Sequence, residues 1–469
     1  MRALKAIGVD RAVAYTFLAR VVSILGSIGT VLLIVRFLSP VEQGYYYTLL
    51  SLAALQTVFE LGFSFVILQL AAHESPLLTM HPDGRIEGDP ESHARLASVL
   101  QLTLRWYLRA AVVLAAILFP LGIAFFSAKG GAQVRGGWLG PWTATVFAIS
   151  MTLFLTPLCS FLEGCNQVRQ VAGARMIQAV VVLAISWGAV ASGHGLYACA
   201  LVNLGWSAVA GVFILRRRGT LLSLLRYPSN GKGISWNKEI WPFQWKIAVS
   251  WLCSYFTMQV FTPILFSLRG PEEAGRMGLS LSITGYLPVV ALCWIMPKAA
   301  PFGQLVKSGR LRELDALFFR TLRQSLALTL LLAGVCFALV LGAQSILPAI
   351  ALRMETPWIF ALLFFTAVSS FVVQSLAVYL RSFKREPFLL QSMVVAGLTL
   401  AGILLAAPRW GGAAIAIVYF AASGVMGLLW AVIIFHAQRN ARRQDRDGRT
   451  EDHEVLAAMP ANGLVGGAK

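Results

Sequence analysis

Apolar stretches of about 20 residues recur along the whole chain, each long enough to cross the hydrocarbon core of a bilayer as a helix. Twelve such segments can be read: 12–37, 45–70, 106–128, 141–162, 174–192, 196–215, 247–268, 277–297, 324–343, 356–380, 388–407 and 411–436. Only 13% of the 469 residues are charged, 57% are hydrophobic, and the mean hydropathy is +0.71. A soluble protein of this length would carry about twice that charge. The expected fold class is therefore an all-α polytopic membrane protein with about twelve transmembrane helices. The first segment follows a short basic leader. It is too long for a signal-peptide core, and no small-residue cleavage site follows it, so it is expected to be retained as a span.

The formal net charge of +18 suggests nucleic acid until the positions of the charges are considered. Lys and Arg concentrate in alternate connections and at both ends, the signature that places those segments and both termini on the cytoplasmic side. Clusters such as Arg216-Arg217-Arg218 therefore orient the chain and attract anionic lipid headgroups; a nucleic-acid partner is not expected. The six cysteines lie in or beside apolar segments without metal-ligand or disulfide spacing, and read as small apolar residues. Residues 71–105 mix His73, His81 and His93 with acids but lack H-x-x-H or C-x-x-C spacing. They are expected to form a solvated connection, partly an amphipathic helix, and neither metal nor cofactor is expected. No phosphate-binding G-x-x-x-x-G-K-[ST] and no Ser/His/Asp or Cys/His arrangement is present, so a transporter is expected and not an enzyme.

The sequence also reads as duplicated. Pro40-Val41-Glu42-Gln43-Gly44 returns 231 residues later as Pro271-Glu272-Glu273-Ala274-Gly275, each time between the first and second segments of a half. Pro stops one helix and Gly frees the backbone for a close turn. Phe161-Leu162-Glu163-Gly164 ends the fourth segment and Tyr379-Leu380-Arg381-Ser382 the tenth, and the shorter offset between them fits the long connection at 71–105. The expected organisation is a leader (1–11), a six-helix half (12–215), a basic linker (216–246), a second six-helix half (247–436) and a disordered tail (437–469). Trp236, Trp241 and Trp245 suggest that the linker lies along the membrane interface.

Arg20 is the most costly residue within the membrane, at about 2.5–3.5 kcal/mol near a bilayer centre on insertion scales. Thr16, Arg20, Ser23, Ser27 and Thr30 follow at steps of three and four, so they share one helical face, which must look into protein or water. Glu60 is the expected partner of Arg20. Counted from the cytoplasmic helix ends, the two lie at similar depths, roughly 12 Å and 15 Å at 1.5 Å per residue. Gln56 lies one turn away on the face of Glu60. Two readings stand: a structural ion pair with Ser and Thr easing helix packing, or a site where Arg20 presents its donor fork to phosphate or diphosphate while Glu60 holds it. Lys246 and Lys298 could guide an anionic headgroup in, or snorkel to the interface. Gln178, Asn203, Gln259 and Gln374 read first as interhelical hydrogen-bonding groups. At the offset of the repeat, Arg20 falls on Trp251 and Glu60 on Ala291, so the halves share a frame but not these charges.

The run Phe37-Leu38-Ser39-Pro40-Val41-Glu42-Gln43-Gly44-Tyr45-Tyr46, followed by Glu60-Leu61-Gly62-Phe63, resembles the opening of polysaccharide and O-antigen flippases. Phe161-Leu162-Glu163-Gly164-Cys165-Asn166 is similar to the end of the fourth helix in the same proteins. They belong to the multidrug/oligosaccharidyl-lipid/polysaccharide exporter superfamily. The resemblance implies two six-helix lobes around a central cavity and alternating access; a monomer in the cell inner membrane is expected. It further implies an undecaprenyl-diphosphate-linked oligosaccharide as substrate, moved from the cytoplasmic to the periplasmic leaflet. A polysaccharide polymerase and assembly proteins are further candidate partners. The alternatives are a cation-coupled multidrug antiporter of the same superfamily, a lipid II flippase, and a non-transporting scaffold for glycan assembly.

Overall fold

The computed structural model describes residues 11–60, 62–81, 85–129, 137–227, 241–383 and 388–440, without the side chains of several residues in the first and seventh spans. The leader up to residue 10, the tail beyond residue 440 and the centre of the linker with Trp236 lie outside the described residues, while residues 437–440, expected in the disordered tail, continue the last helix. Within them, all twelve expected segments fall on helix.

The first half begins with α1 (Arg11–Phe37). The second segment is broken into α2 (Pro40–Ala53), α3 (Gln56–Glu60) and α4 (Phe63–Glu74). A capping box starts α2: the Ser39 hydroxyl accepts from the Glu42 N–H at 3.2 Å, and the Glu42 carboxylate accepts from the Ser39 N–H at 2.8 Å. Pro40, at the first helical position, gives up an N–H that would have been unpaired there anyway.

The connection at 71–105 is more ordered than expected. Strands β1 (Leu78–Met80) and β2 (Ile86–Gly88) form a short antiparallel hairpin with Thr79 opposite Glu87. Helix α5 (Pro90–Lys129) then runs 40 residues, so the expected amphipathic stretch and the third span are one continuous rod. Arg95 Nε pairs with Glu74 Oε1 at 2.8 Å beneath the hairpin. Helices α6 (Leu139–Leu162), α7 (Val168–Ala191) and α8 (Ala198–Arg216) complete the half. Between α6 and α7 the chain turns at Asn166, whose φ is +62°. The start of the linker, α9 (Arg218–Arg226), lies on α5, where Gln101 donates to the carbonyls of Leu225 and Tyr227.

The second half repeats the plan. The seventh segment is α10 (Trp241–Met258) plus α11 (Phe261–Arg269). Then come α12 (Pro271–Ile295), the short α13 (Ala299–Lys307), α14 (Leu311–Ile346), the one-turn α15 (Pro348–Ala351) and α16 (Pro357–Arg381). The last two segments are α17 (Leu389–Tyr419) and its continuation to residue 440, with a sharp bend at Gly411 (φ +55°, ψ −132°) separating the spans.

Among the described residues, eight continuous helical runs are long and apolar enough to cross a membrane, and two of them, Leu139–Ala191 and Leu389–Asn440, each hold two expected spans across a turn. The all-α polytopic architecture is thus the one expected from the sequence. Large apolar side chains such as Leu331, Leu339, Leu405 and Ile433 are exposed, as a lipid-facing surface requires.

The halves meet chiefly through α2 and α12, which pack along each other. Gly44 and Gly275, the last residues of the two P-x-E-x-G copies, form the crossing point. A Cβ at Gly44 would overlap the carbonyl of Pro271, and one at Gly275 would stand 2.8 Å from the Gly44 nitrogen. Backbones can approach this closely only where both helices present small residues.

Candidate functional site

Directly below the Gly44–Gly275 crossing, the two halves diverge around a cavity of about 440 Å³. Three pairs of positions equivalent by the repeat form part of its wall: Tyr47 with Gly278, Leu50 with Leu281, and Ser51 with Ser282. Each pair is one residue of α2 and its counterpart on α12. The side chain of Tyr47 fits because its equivalent is glycine; a Cβ at Gly278 would lie 2.5 Å from the Tyr47 Cβ. On α12, Gly278, Ser282 and Tyr286 recur every four residues, so one face of that helix lines the space. The remaining wall comes from α10, α11, α16 and the end of α17, including Gln259, Thr262, Ser370 and Tyr419.

Three tyrosine–serine pairs ring the cavity. Tyr47 faces Ser282 across the halves, as Tyr286 faces Ser27. Tyr419 is paired with Ser370 within the second half. Close by, the Tyr255 hydroxyl donates to the Ser51 carbonyl at 3.2 Å. Every described lining residue is uncharged. Such a wall offers aromatic faces and hydroxyl donors and acceptors, which suit a neutral polyhydroxylated group and give little to a bare ion.

The residues singled out in the sequence are distributed unevenly around this space. Ser27 is buried and reaches it through Tyr286. Ser23 is exposed and donates to its own helix at the Ala19 carbonyl, 2.9 Å away. Thr30 accepts from Trp187 Nε1 at 3.0 Å, tying that end of the stripe to α7. The side chains of Arg20, Thr16 and Lys246 lie outside the described residues. Glu60 is half-buried where the second span breaks, and its carboxyl lies beside Ser64, whose hydroxyl meets the Tyr107 hydroxyl at 3.4 Å. Gln56 is half-buried at the start of α3.

The expected Arg20–Glu60 pairing involves a side chain, that of Arg20, outside the described residues. In the structure α1 packs mainly on α7 and α12, whereas α3 packs on α5, α6 and α10. The second span breaks at Glu60, and Ser64 lies beside its carboxyl. Lys298 is exposed just beyond α12. Gln178 donates to the Trp206 carbonyl of the neighbouring helix at 3.1 Å, while Asn203 donates to the Cys199 carbonyl of its own helix at 2.8 Å and its Oδ1 accepts from Thr152 of α6 at 3.5 Å. Gln259 lines the cavity, and Gln374 is exposed.

The sequence reading did not single out the tyrosines. The legible signal was the four-residue spacing of Gly278, Ser282 and Tyr286, equal in regularity to the Arg20 stripe but free of charge.

Among known proteins, a family described as a protein of unknown function (DUF2637) matches residues 347–462. No curated protein matches the sequence. Solved structures with the same overall fold include an inward-facing multidrug resistance MATE family transporter of the MOP superfamily, 15% identical, covering 88% of this chain and 99% of its own at a TM-score of 0.52. A MATE protein in its straight conformation is 14% identical, with coverages of 92% and 96% and a TM-score of 0.55. The lipid II flippase MurJ in an inward closed conformation is 14% identical, with coverages of 90% and 86% and a TM-score of 0.55. At these identities the likeness is one of fold: the chain has the two-lobed helical architecture of these transporters.

Proposed function

We propose that this protein is a flippase that moves a polyprenyl-diphosphate-linked oligosaccharide from the cytoplasmic to the periplasmic leaflet of the inner membrane by alternating access, both termini being cytoplasmic. The observation that carries the reading is the uncharged wall of Tyr47, Tyr286 and Tyr419, with Ser and Thr hydroxyls between them, in the cavity between the halves. Sugar rings present apolar faces that stack on aromatic rings and hydroxyls that exchange hydrogen bonds with Ser, Thr and Tyr.

In this proposal the diphosphate is held beside the glycan site by Arg20. It lies on α1 two turns from Ser27 and on the same face, about 10 Å away along the helix axis. Ser27 and Ser23 continue that face, while Gln56 and Glu60 mark the break in the second span, the kind of interruption at which transporters build binding sites. Lys298 and Lys246 stand at the cytoplasmic ends of their spans, where an anionic headgroup would enter. Anionic lipids and a polysaccharide polymerase are the further partners proposed, and a monomer is the proposed unit.

The likeness of fold to MurJ, a lipid II flippase, supports this reading. A cation-coupled drug antiporter of the same fold needs a carboxylate at its binding cavity, and the described lining residues supply none. The test is a proteoliposome assay with a defined lipid-linked oligosaccharide. Wild-type protein is expected to expose the glycan on the opposite leaflet, and Tyr286→Ala to slow this at least tenfold at equal membrane levels. Gradient-driven export of organic cations without glycan movement would overturn the reading. Wild-type rates in both Arg20→Ala and Arg20→Lys would remove Arg20 from it.

A further inference from the structure

The loop at residues 352–356, between α15 and α16, holds one half of the molecule against the other. Arg353 reaches into the first half, donating to the Leu38 carbonyl and to Gln43 Oε1 at 3.4 Å. Gln43 returns a bond to the Arg353 carbonyl at 3.1 Å and donates to the Gly275 carbonyl at 2.9 Å, so the crossing of α2 and α12 is stitched from both sides. Two residues on, Glu355 turns the other way, into the second half. Its N–H donates to Ser280 of α12 at 3.1 Å, and its carbonyl accepts from Gln344 of α14 at 2.7 Å.

The Glu355 side chain is 8% exposed, and its Oε1 is buried without a hydrogen-bond partner among the described residues. The charged groups facing it are Arg276 and Glu273, both on α12. Arg276 Nε is itself buried without a hydrogen-bond partner among the described residues, while Glu273 accepts from the Gly412 N–H at 2.6 Å. From α17 it is approached at Gly412, where a Cβ would stand 2.8 Å from Glu355 Oε1. From α14 the neighbour is the neutral Gln344, and on its own loop the charge is Arg353, which points away toward α2 and Glu42. One arginine thus serves two carboxylates in a place closed to water, and an ionised Glu355 there is poorly compensated.

We propose that Glu355 is a proton-binding site that is loaded when the halves are closed at the Gly44–Gly275 end and discharged when they part, which links proton movement to alternating access. Separation of α2 from α12 breaks the Arg353 bonds to Leu38 and Gln43 and frees the loop. Water then reaches the carboxyl, which dissociates to a carboxylate beside Arg276, and the proton leaves with that water. Closing reverses the step and takes one proton up.

The sign follows from linkage. Burial raises the Glu355 carboxyl from its ordinary 4.5 to about 7 in the closed form. Closure is therefore favoured fully below the ordinary value. The advantage falls by up to tenfold per pH unit as pH rises from 4.5 to 7, and is absent above that.

The experiment is a double electron–electron resonance titration of the full chain in lipid nanodiscs without substrate. Labels are carried as genetically encoded amino acids at Ser192 and Ser345, exposed on opposite halves, so the six native cysteines stay in place. The wild type is expected to shift from the short to the long distance between pH 4.5 and 7. Glu355→Gln is expected to hold the short distance at every pH. A wild-type distribution that does not change with pH, or an undiminished shift in Glu355→Gln, overturns the proposal. Should that variant fail to fold, infrared titration of the wild type decides: a carboxyl protonating near pH 7 is expected, and its absence overturns the site. No glycan enters these measurements, so their failure is separate from failure of the flippase reading.

Discussion

Helices α2 and α12 begin with the same five-residue pattern, meet at its glycines and line one cavity, yet they are built differently. In α2 the motif's acid is spent locally: Glu42 completes the capping box with Ser39. In α12 the N-cap is Gly270, which has no side chain to cap with, and Glu273 instead reaches across to the bend of α17 at Gly412. Helix α2 stops at Ala53 and the span breaks again near Gly62, while α12 continues unbroken to Ile295. A repeat conserves what the symmetric crossing needs, two glycines and a helix start. It frees the remaining positions, so one copy became a jointed wall and the other a straight one tied into its neighbours.

Substitutions can break this comparison in a graded way. The largest effect is expected at the crossing. Gly44→Ala drives a methyl group into the Pro271 carbonyl, backbone against backbone, and should cost the upper part of the 1–3 kcal/mol typical of overpacking, or more. Gly275→Ala, whose Cβ has more room, should cost less. Thermal unfolding of the purified proteins in detergent measures both, and equal losses would mean the crossing is looser than described. Next, Glu273→Gln removes a charged acceptor from the Gly412 N–H and should cost about 1.5 kcal/mol. Ser39→Ala removes a cap worth about 1 kcal/mol, an effect with no counterpart at Gly270 of α12. Smallest in stability but largest in consequence for the cavity is Ser27→Ala, which leaves Tyr286 without its partner across the halves. It is expected to cost about 0.5–1.5 kcal/mol and to slow glycan movement severalfold without changing membrane levels. If slowing and destabilisation instead track each other through this series, the cavity wall acts only through folding.

Much of the frame was legible because its signals are local. Apolar stretches of bilayer length mark spans wherever they occur, and all twelve lie on helix. Pro40 marks a helix start in the sequence and is one in the structure, where Ser39 and Glu42 add the cap. The hairpin at 78–88 was missed because its strands are three residues each, too short for a period-two pattern to register. The break in the second span went unread because Ala54, Leu55 and Gly62 interrupt the helix without interrupting the hydrophobicity from which the span was read.

The sequence by itself determined that this chain spans a membrane many times, that it is duplicated, and where its charges can lie, because the costs of exposing backbone and charge to lipid are paid residue by residue. Which residues look at one another was decided only by the tertiary structure. Tyr47, Ser282, Tyr286 and Tyr419 come from three separate helices, and Glu355, Arg276 and Glu273 are joined only because a four-residue helix and a bend at Gly411 fold them to one end of the seam. Side-chain chemistry of that kind depends on helix rotation and depth. In lipid these are set by close packing of small residues, and the hydrophobic pattern does not record them.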